Sequence, residues 1–450
     1  MTDLEGITLK LLKVGKNESE IIEYLQGQIE FYKGEDYQIS KSMAKAILSE
    51  VRKSRQKRDS FEQKLLLTLL NTPQSDITMQ TGGVGCRGEG DFKVHQKLAS
   101  LAATVDATLG VKDLDDAGVI KIEEEGIKYI ISKIEGMHSR LSEFPFLAGF
   151  HVTRAALRDI FVKGGEPEAL MIDLHLGDDG DIGKLLDFVA GCATISKLTN
   201  VPIITGSTLR IGGDMVIGTR LTGCVAAVGT VTKILPRKNL KPGQIMIMTR
   251  GAGGGTITTA AIYSGNHHII KHTINLNFIN AVKSLRRKKL YDKVDCMIDV
   301  TNGGVRNELN ESINSLNCGI EINKSIFQSL IHPEVLDLLN LMNIDPLGVS
   351  IGSLLIFCQP EIMKEVLTTF KADNIPAGVA GRVISEKGLF ILNEKGIREK
   401  ISVRKRESAY TEVKKTVENQ ELNLTGLEKA WKQAKKKIDL VCQYITDTHV

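Results

Sequence analysis

The chain has 450 residues, 42% of them hydrophobic and 25% charged, an ordinary globular composition with length for more than one core. Its 58 basic and 54 acidic residues leave a formal net charge of +4, too mild to imply a polyanion partner, and aromatics at 5% with one Trp (Trp431) argue against a base-stacking nucleic-acid surface. Seven dispersed cysteines with no CxxC spacing exclude a disulfide framework and a structural zinc site. With no apolar signal core and no uncharged apolar run of membrane-spanning length, the expectation is a soluble, cytoplasmic protein.

In chain order, residues 1 to about 70 predict helices. Ile21, Ile22, Leu25 and Ile29 share one apolar face, as do Met43, Ala46, Ile47 and Val51, and Phe61 to Leu70 form another helix ended by Pro73. This extension, residues 1–75, has three open roles: packing on the main body, dimerising, or binding a protein partner. Thr81–Asp91 follows, with five glycines. Gly83, Gly85 and Gly88 formally satisfy GxGxxG, but no good strand precedes them and no second strand follows at the required distance. The segment suits a mobile loop over phosphates, with Arg87 and Lys93 as charge partners, or else a plain linker. A helix runs from Phe92 to Ala107.

Asp115, Asp116, Glu135 and Asp159 lie next to short apolar segments or glycines, at turns and element ends. Carboxylates so placed can converge on a hard cation, and magnesium takes one or two of them beside water and phosphate oxygens. Ala169–Leu176 predicts a buried strand, Ile182–Leu198 a helix, and Val201–Thr205 a strand running into Gly206-Ser207-Thr208. Met215–Thr222 and Cys224–Val231 predict a strand pair, with Pro236–Pro242 as a domain boundary. Asp178, Asp179 and Asp181 suit capping of the helix that follows.

The second half opens with strand Gln244–Thr249, the glycine loop Gly251–Gly255 and a helix from Thr256, an order compatible with phosphate binding. Cys296–Val300 is a strand with Asp299 near its end, before a glycine turn and a helix. Strands at Leu354–Cys358, Ala377–Val383 and Leu389–Leu392 surround a helix at Glu361–Phe370. Leu427, Trp431, Ala434, Ile438 and Val441 predict an amphipathic helix in the last fifty residues.

Five motifs in order, DDAGVI (115–120), SKIEG (132–136), RDIFVKGGEP (158–167), ITGST (204–208) and MIDVTNGGV (297–305), resemble the aminoimidazole ribonucleotide synthetase superfamily. That superfamily includes selenophosphate synthetase, thiamine-monophosphate kinase and the hydrogenase-maturation dehydratase. The pattern is most similar to selenophosphate synthetase-related proteins and covers roughly residues 80 to 395. The resemblance implies an α/β (α+β) fold of two domains: an N-terminal ATP-binding sheet domain (76–238) that forms a homodimer, and a C-terminal α+β domain (239–400). Helical segments 1–75 and 401–450 flank them. It implies ATP and Mg2+ as cofactors. Asp115, Asp116, Glu135, Asp159 and Asp299 would bind metal, and Asp115, Asp159 and Arg87 would be catalytic. Gly83, Gly85, Arg87, Gly88, Lys93, Asp116, Gly206 and Thr208 would hold the nucleotide.

The sequence departs from that pattern at several positions. Glu135 stands where the family has Asp, the family helix's Asn and Ser fall at Ala155 and Arg158, and Ser207 replaces an acid or histidine, with Asp214 the nearest substitute. Val84 falls where selenophosphate synthetase has its nucleophilic cysteine, which leaves Cys86 as a nucleophile or an inert residue. His95 and His138 are either substrate contacts or surface and capping residues. The leading expectation is an ATP-dependent enzyme that phosphorylates or activates an oxygen of a small, unidentified acceptor. Its alternative is a catalytically inactive nucleotide-binding regulator or scaffold. Neither nucleic acid nor membrane is expected as a partner.

Overall fold

The computed structural model describes residues 2–35, 37–54, 75, 88–102, 108–109, 113–115, 117–124, 127–404, 406–411 and 423–448. Contacts divide the chain into two compact units: residues 1–71, 135–153 and 170–225 in the first, and 72–134, 154–169 and 226–450 in the second.

The first unit begins with helices α1 (Leu4–Lys13), α2 (Glu18–Lys33) and α3 (Ser40–Ser54). Asp3 caps α1, and Asn17 with Glu20 forms a reciprocal capping box on α2. Ile21, Ile22, Leu25 and Ile29 are buried as their spacing requires. On α3 the buried stripe is Ala44, Ile47, Leu48 and Val51, with Ala46 exposed, because the face turned to α2 lies one step round from the expected one. These helices form their own core with Ile217, and the strand Thr2–Asp3 pairs antiparallel with Val216–Ile217. Lys33 at the end of α2 binds Asp178 and Asp179 at 2.5 and 2.9 Å. Those two acids are therefore counter-ions to α2 rather than helix caps, whereas Asp181 does accept the Gly183 amide.

Next in order are α4 (Glu89–Ala102), β1 (Gly118–Glu124), β2 (Ile127–Gly136), α5 (Pro145–Val162), β3 (Glu166–Leu176), α6 (Gly183–Thr199), β4 (Ile203–Arg210) and β5 (Leu221–Val231). The strands form one sheet in the order β1-β2-β5-β3-β4. Here β1 and β2 run antiparallel and β3 and β4 parallel. The expected pairing of Met215–Thr222 with Cys224–Val231 is not formed. Gly218, at φ +121°, breaks the first segment, and Leu221–Val231 is one continuous strand. Gly149 and Gly191 let α5 and α6 touch through their backbones: a Cβ on either would lie 2.1 Å from the other helix's carbonyl oxygens.

The second half builds a seven-stranded sheet. Its elements are β6 (Ile245–Thr249), α7 (Gly255–Tyr263), α8 (Asn277–Arg287), β7 (Cys296–Asp299), α9 (Gly304–Asn314), β8 (Gly319–Asn323), α10 (Pro333–Leu341), β9 (Leu354–Cys358), α11 (Pro360–Ala372), β10 (Ala377–Ile384), β11 (Gly388–Leu392) and β12 (Arg398–Ile401). The order is β12-β11-β8-β10-β6-β9-β7, antiparallel throughout except for β8 with β11. Strands β7 and β9 are buried along their whole length, so they read as continuous apolar runs rather than alternating ones. Cys296, Cys318 and Cys358 are buried in this half, and burial pushes the Cys358 thiol up to about 11. The final helix, α12 (Leu424–Thr448), lies on α4, where Lys97 meets Glu428 and the Trp431 indole donates to Ser100. Among the described residues no helix is long and apolar enough to cross a membrane.

Candidate functional site

Helix α5 is apolar for most of its length, and its C-terminal half carries the charges. Arg154 and Arg158 are one helical turn apart and share a face. The Arg154 guanidinium is buried and donates to the carbonyls of Gly253, Thr273 and Asn275 at 3.1, 3.0 and 2.8 Å. Burial and the neighbouring Arg158 push it down to about 9, so it stays cationic at neutral pH. Arg158 Nε lies 2.6 Å from Asp299 at the end of β7 and 3.6 Å from Asp159. The other oxygen of Asp159 meets Lys133 Nζ at 2.9 Å. Asp299 is fully buried and the Asp159 side chain is 3% exposed.

A second group lies just beyond α5. Lys163, fully buried, holds Asp115 at 2.8 Å and donates to the Met297 carbonyl of β7. Asp115 also accepts from the Arg237 backbone amide at 3.1 Å, and the Arg237 guanidinium continues to Glu308 at 2.7 Å and Glu311 at 3.4 Å. This network borders a cavity of about 320 Å³ whose walls include Phe92 and Gln96 of α4, Asp113, Asp115 and Lys238. Of the predicted acids, Asp115, Asp159 and Asp299 are thus tied to Lys163, Lys133 and Arg158, cations of α5, the turn after it and β2.

Glu135 is half-buried near the end of β2, and Gly206 and Thr208 stand exposed on β4; all three belong to the first unit. Lys93 is half-buried on α4 and Gly88 is buried just before it. Asp116, Gly83, Val84, Gly85, Cys86 and Arg87 lie outside the described residues, as do the side chains of His95 and Asp214. Gly251–Gly255 is buried throughout. A Cβ on Gly251 would meet the Ile351 carbonyl at 2.4 Å and one on Gly254 the Arg154 guanidinium at 2.6 Å, so this loop serves close packing. Sequence reasoning missed Lys133, Arg158, Lys163 and Arg237 as partners of the acids. The legible signal was two arginines at helical spacing inside an otherwise apolar helix.

Residues 114–231 match the AIR synthase related protein N-terminal domain, and residues 241–392 match its C-terminal domain. The chain belongs to the AIR synthase related family. It is 44% identical to an uncharacterized protein of Methanocaldococcus jannaschii over 422 residues, covering 93% of this chain and 91% of that one. It is also 25% identical over 292 residues to the phosphoribosylformylglycinamidine synthase subunit PurL of Saccharolobus islandicus, covering 62% of this chain and 39% of that relative. Its fold resembles HypE in a HypE–HypF complex (TM-score 0.56, 17% identity, 69% of this chain and 99% of that one). The fold also resembles AaThiL complexed with AMPPCP and TMP (TM-score 0.52, 16% identity, 70% and 96%).

The resemblance implies magnesium at the acids of this AIR synthase related chain, and the geometry tests that. Magnesium keeps several waters and takes phosphate oxygens, so its carboxylate ligands must be reachable by solvent. The Asp115, Asp159 and Asp299 side chains are 4%, 3% and 0% exposed, each with a cationic nitrogen within 3 Å. So placed, these three do not fit a hydrated magnesium ion. The positions are filled by charge from the chain itself.

Proposed function

We propose that this protein is an ATP-dependent enzyme that transfers a phosphoryl group to a small metabolite, or activates an oxygen of one. The observation that carries this reading is the buried ionic cluster of Asp115, Asp159 and Asp299 with Lys133, Arg158, Lys163 and Arg237. Buried ion pairs add little stability over apolar packing of the same volume. A chain that gathers three acids and four cations around one helix end has a use for the charge. Phosphoryl transfer is governed by positioning and charge neutralisation, the chemistry such a cluster can serve. Two related folds support the nucleotide: HypE has been solved in complex with ATP, and AaThiL with AMPPCP.

In this proposal Asp115 and Asp159 are the acids of the site. Gly83, Gly85, Arg87, Gly88 and Lys93 come from the segment that approaches the phosphates, and Asp116, Gly206 and Thr208 are further nucleotide contacts. Magnesium enters only as the companion ion of ATP, with Glu135 and Asp116 as the acids proposed to meet it; no step is assigned to it. The proposal includes a homodimer, supported by the exposure of Ile204 and Leu209 on β4, and a cytoplasmic location, where ATP is at hand. The helical extensions 1–75 and 401–450 remain candidate surfaces for a protein partner.

The test is ATP hydrolysis with Asp115→Asn and Asp159→Asn variants whose folding is checked by circular dichroism. Loss of turnover in folded variants is expected; unchanged turnover removes the acids from the chemistry. A second reading is a nucleotide-binding regulator without turnover, favoured by the Arg158–Asp299 contact at the position where the family pattern has serine. It predicts binding of an ATP analogue with no hydrolysis under any acceptor screen.

A further inference from the structure

A cavity of about 610 Å³ lies in the second unit, lined by residues that the ATP reading does not use. That volume falls in the range of small-molecule sites, about 300–1,000 Å³. One wall is the polar face of α8: Asn277, Asn280, Lys283, Ser284 and Arg287 recur at helical spacing, while Phe278, Ile279, Val282 and Leu285 of the same helix are buried. The polar face of a surface helix ordinarily meets open water. Here that exposed face also borders a concave space open on one side to solvent, whose lining includes the end of β6 with Arg250 and the turn Asp373–Pro376.

The charges in this space do not balance. Among the described residues Asp373 is its one acid, and Ser284 and Arg287 both bind that carboxylate, which they hold below the ordinary carboxylate range. Burial and the His272 ring beside it (ring centroids 4.0 Å apart) push His332 down, so this imidazole adds no charge at neutral pH. Arg250, just after β6, and Lys283 of α8 remain; both are exposed and line the cavity, and neither forms an ion pair among the described residues.

We infer that this cavity binds the phosphate group of a small metabolite between Arg250 and Lys283. A phosphomonoester carries nearly two negative charges at neutral pH, about −1.5 to −2, which matches two uncompensated cations better than a single carboxylate does. The Asn277 and Asn280 amides and the Thr249 hydroxyl supply neutral donors and acceptors suited to hydroxyl groups on the rest of the ligand.

The experiment is equilibrium dialysis of the full chain against labelled inorganic phosphate and, separately, labelled glycerol 3-phosphate, with and without a saturating non-hydrolysable ATP analogue. Saturable binding that persists with the analogue present, and weakens at least tenfold in an Arg250→Gln/Lys283→Gln double variant, is expected. The exposed charge control Lys395→Gln should bind as the unsubstituted chain does. Tighter binding of the ester identifies a phosphorylated metabolite as the occupant, and equal binding identifies the free ion. Binding abolished by the analogue, unchanged in the double variant, or absent for both probes overturns the inference. Failure of the analogue itself to bind counts against the ATP reading and leaves this test intact, since the dialysis is read without it too.

Discussion

Arg158 decides what the acids around it can do. Its Nε is 2.6 Å from a carboxylate with no exposure to water, and an unpaired charge there would be costly. Replacing Arg158 by serine should therefore destabilise the chain by about 3–5 kcal/mol, the usual consequence of removing one partner of a buried pair. If the arginine is what bars a metal, the same variant should gain a Mn2+ site, read by electron paramagnetic resonance. Added divalent ion should then restore part of the stability lost in denaturant unfolding, and a second change, Asp299→Asn, should remove the gain. Mn2+ binding to the unsubstituted chain that disappears in Asp299→Asn would show instead that Arg158 yields to a metal. Lys163 poses the same problem at Asp115, since a fully buried ammonium must keep its partner.

At the scale of elements, the N-terminal helices are fastened to their own unit by a core and by one ion cluster. Lys33, and after it Arg210, hold Asp178 below the ordinary carboxylate value against the opposing effect of burial. A carboxylate with a depressed folded pKa stabilises above its unfolded value, about 3.9, and that contribution is lost as pH falls through the folded value. Lys33→Met should therefore lower stability near neutral pH, with the gap to the unsubstituted chain closing as the solution is acidified below about pH 4. Unfolding curves across that range read it directly; a gap independent of pH would assign the loss to packing instead. Strand β4 is an edge strand, exposed at every position after Ile203, with Ile204 62% and Leu209 57% exposed. Such an edge invites pairing with another chain. Leu209→Asp is expected to shift a dimer to monomer in light scattering, and a monomeric parent chain would remove the dimer from the proposal.

For the whole molecule, the first measurement is calorimetric titration with a non-hydrolysable ATP analogue, with and without magnesium. Micromolar binding that requires magnesium would mean that the sealed acids open, or that Glu135 and Asp116 suffice. Equal binding in both conditions would make the internal cations the counter-charge of the nucleotide. No binding would leave the family fold without its nucleotide and turn attention to protein partners.

Most strands and helices were legible in the sequence because their periodicity reports one-sided burial. The Ile21–Ile29 face and the all-apolar Leu354–Cys358 strand are direct readings of that kind. Strand β8 and helices α8 and α10 did not stand out, and the Met215–Thr222 strand was overruled by one glycine in a left-handed conformation. The order of five motifs was enough to place the chain in its family, since motif spacing along a chain survives when individual contacts do not. The fate of the acids was decided only in three dimensions. Asp115, Asp159 and Asp299 meet Lys163, Lys133 and Arg158, and Asp299 lies well over a hundred residues from its partner. An acid's charge, written in one dimension, says that a cation is wanted; whether a metal or a side chain supplies it depends on which residues the fold carries within 3 Å.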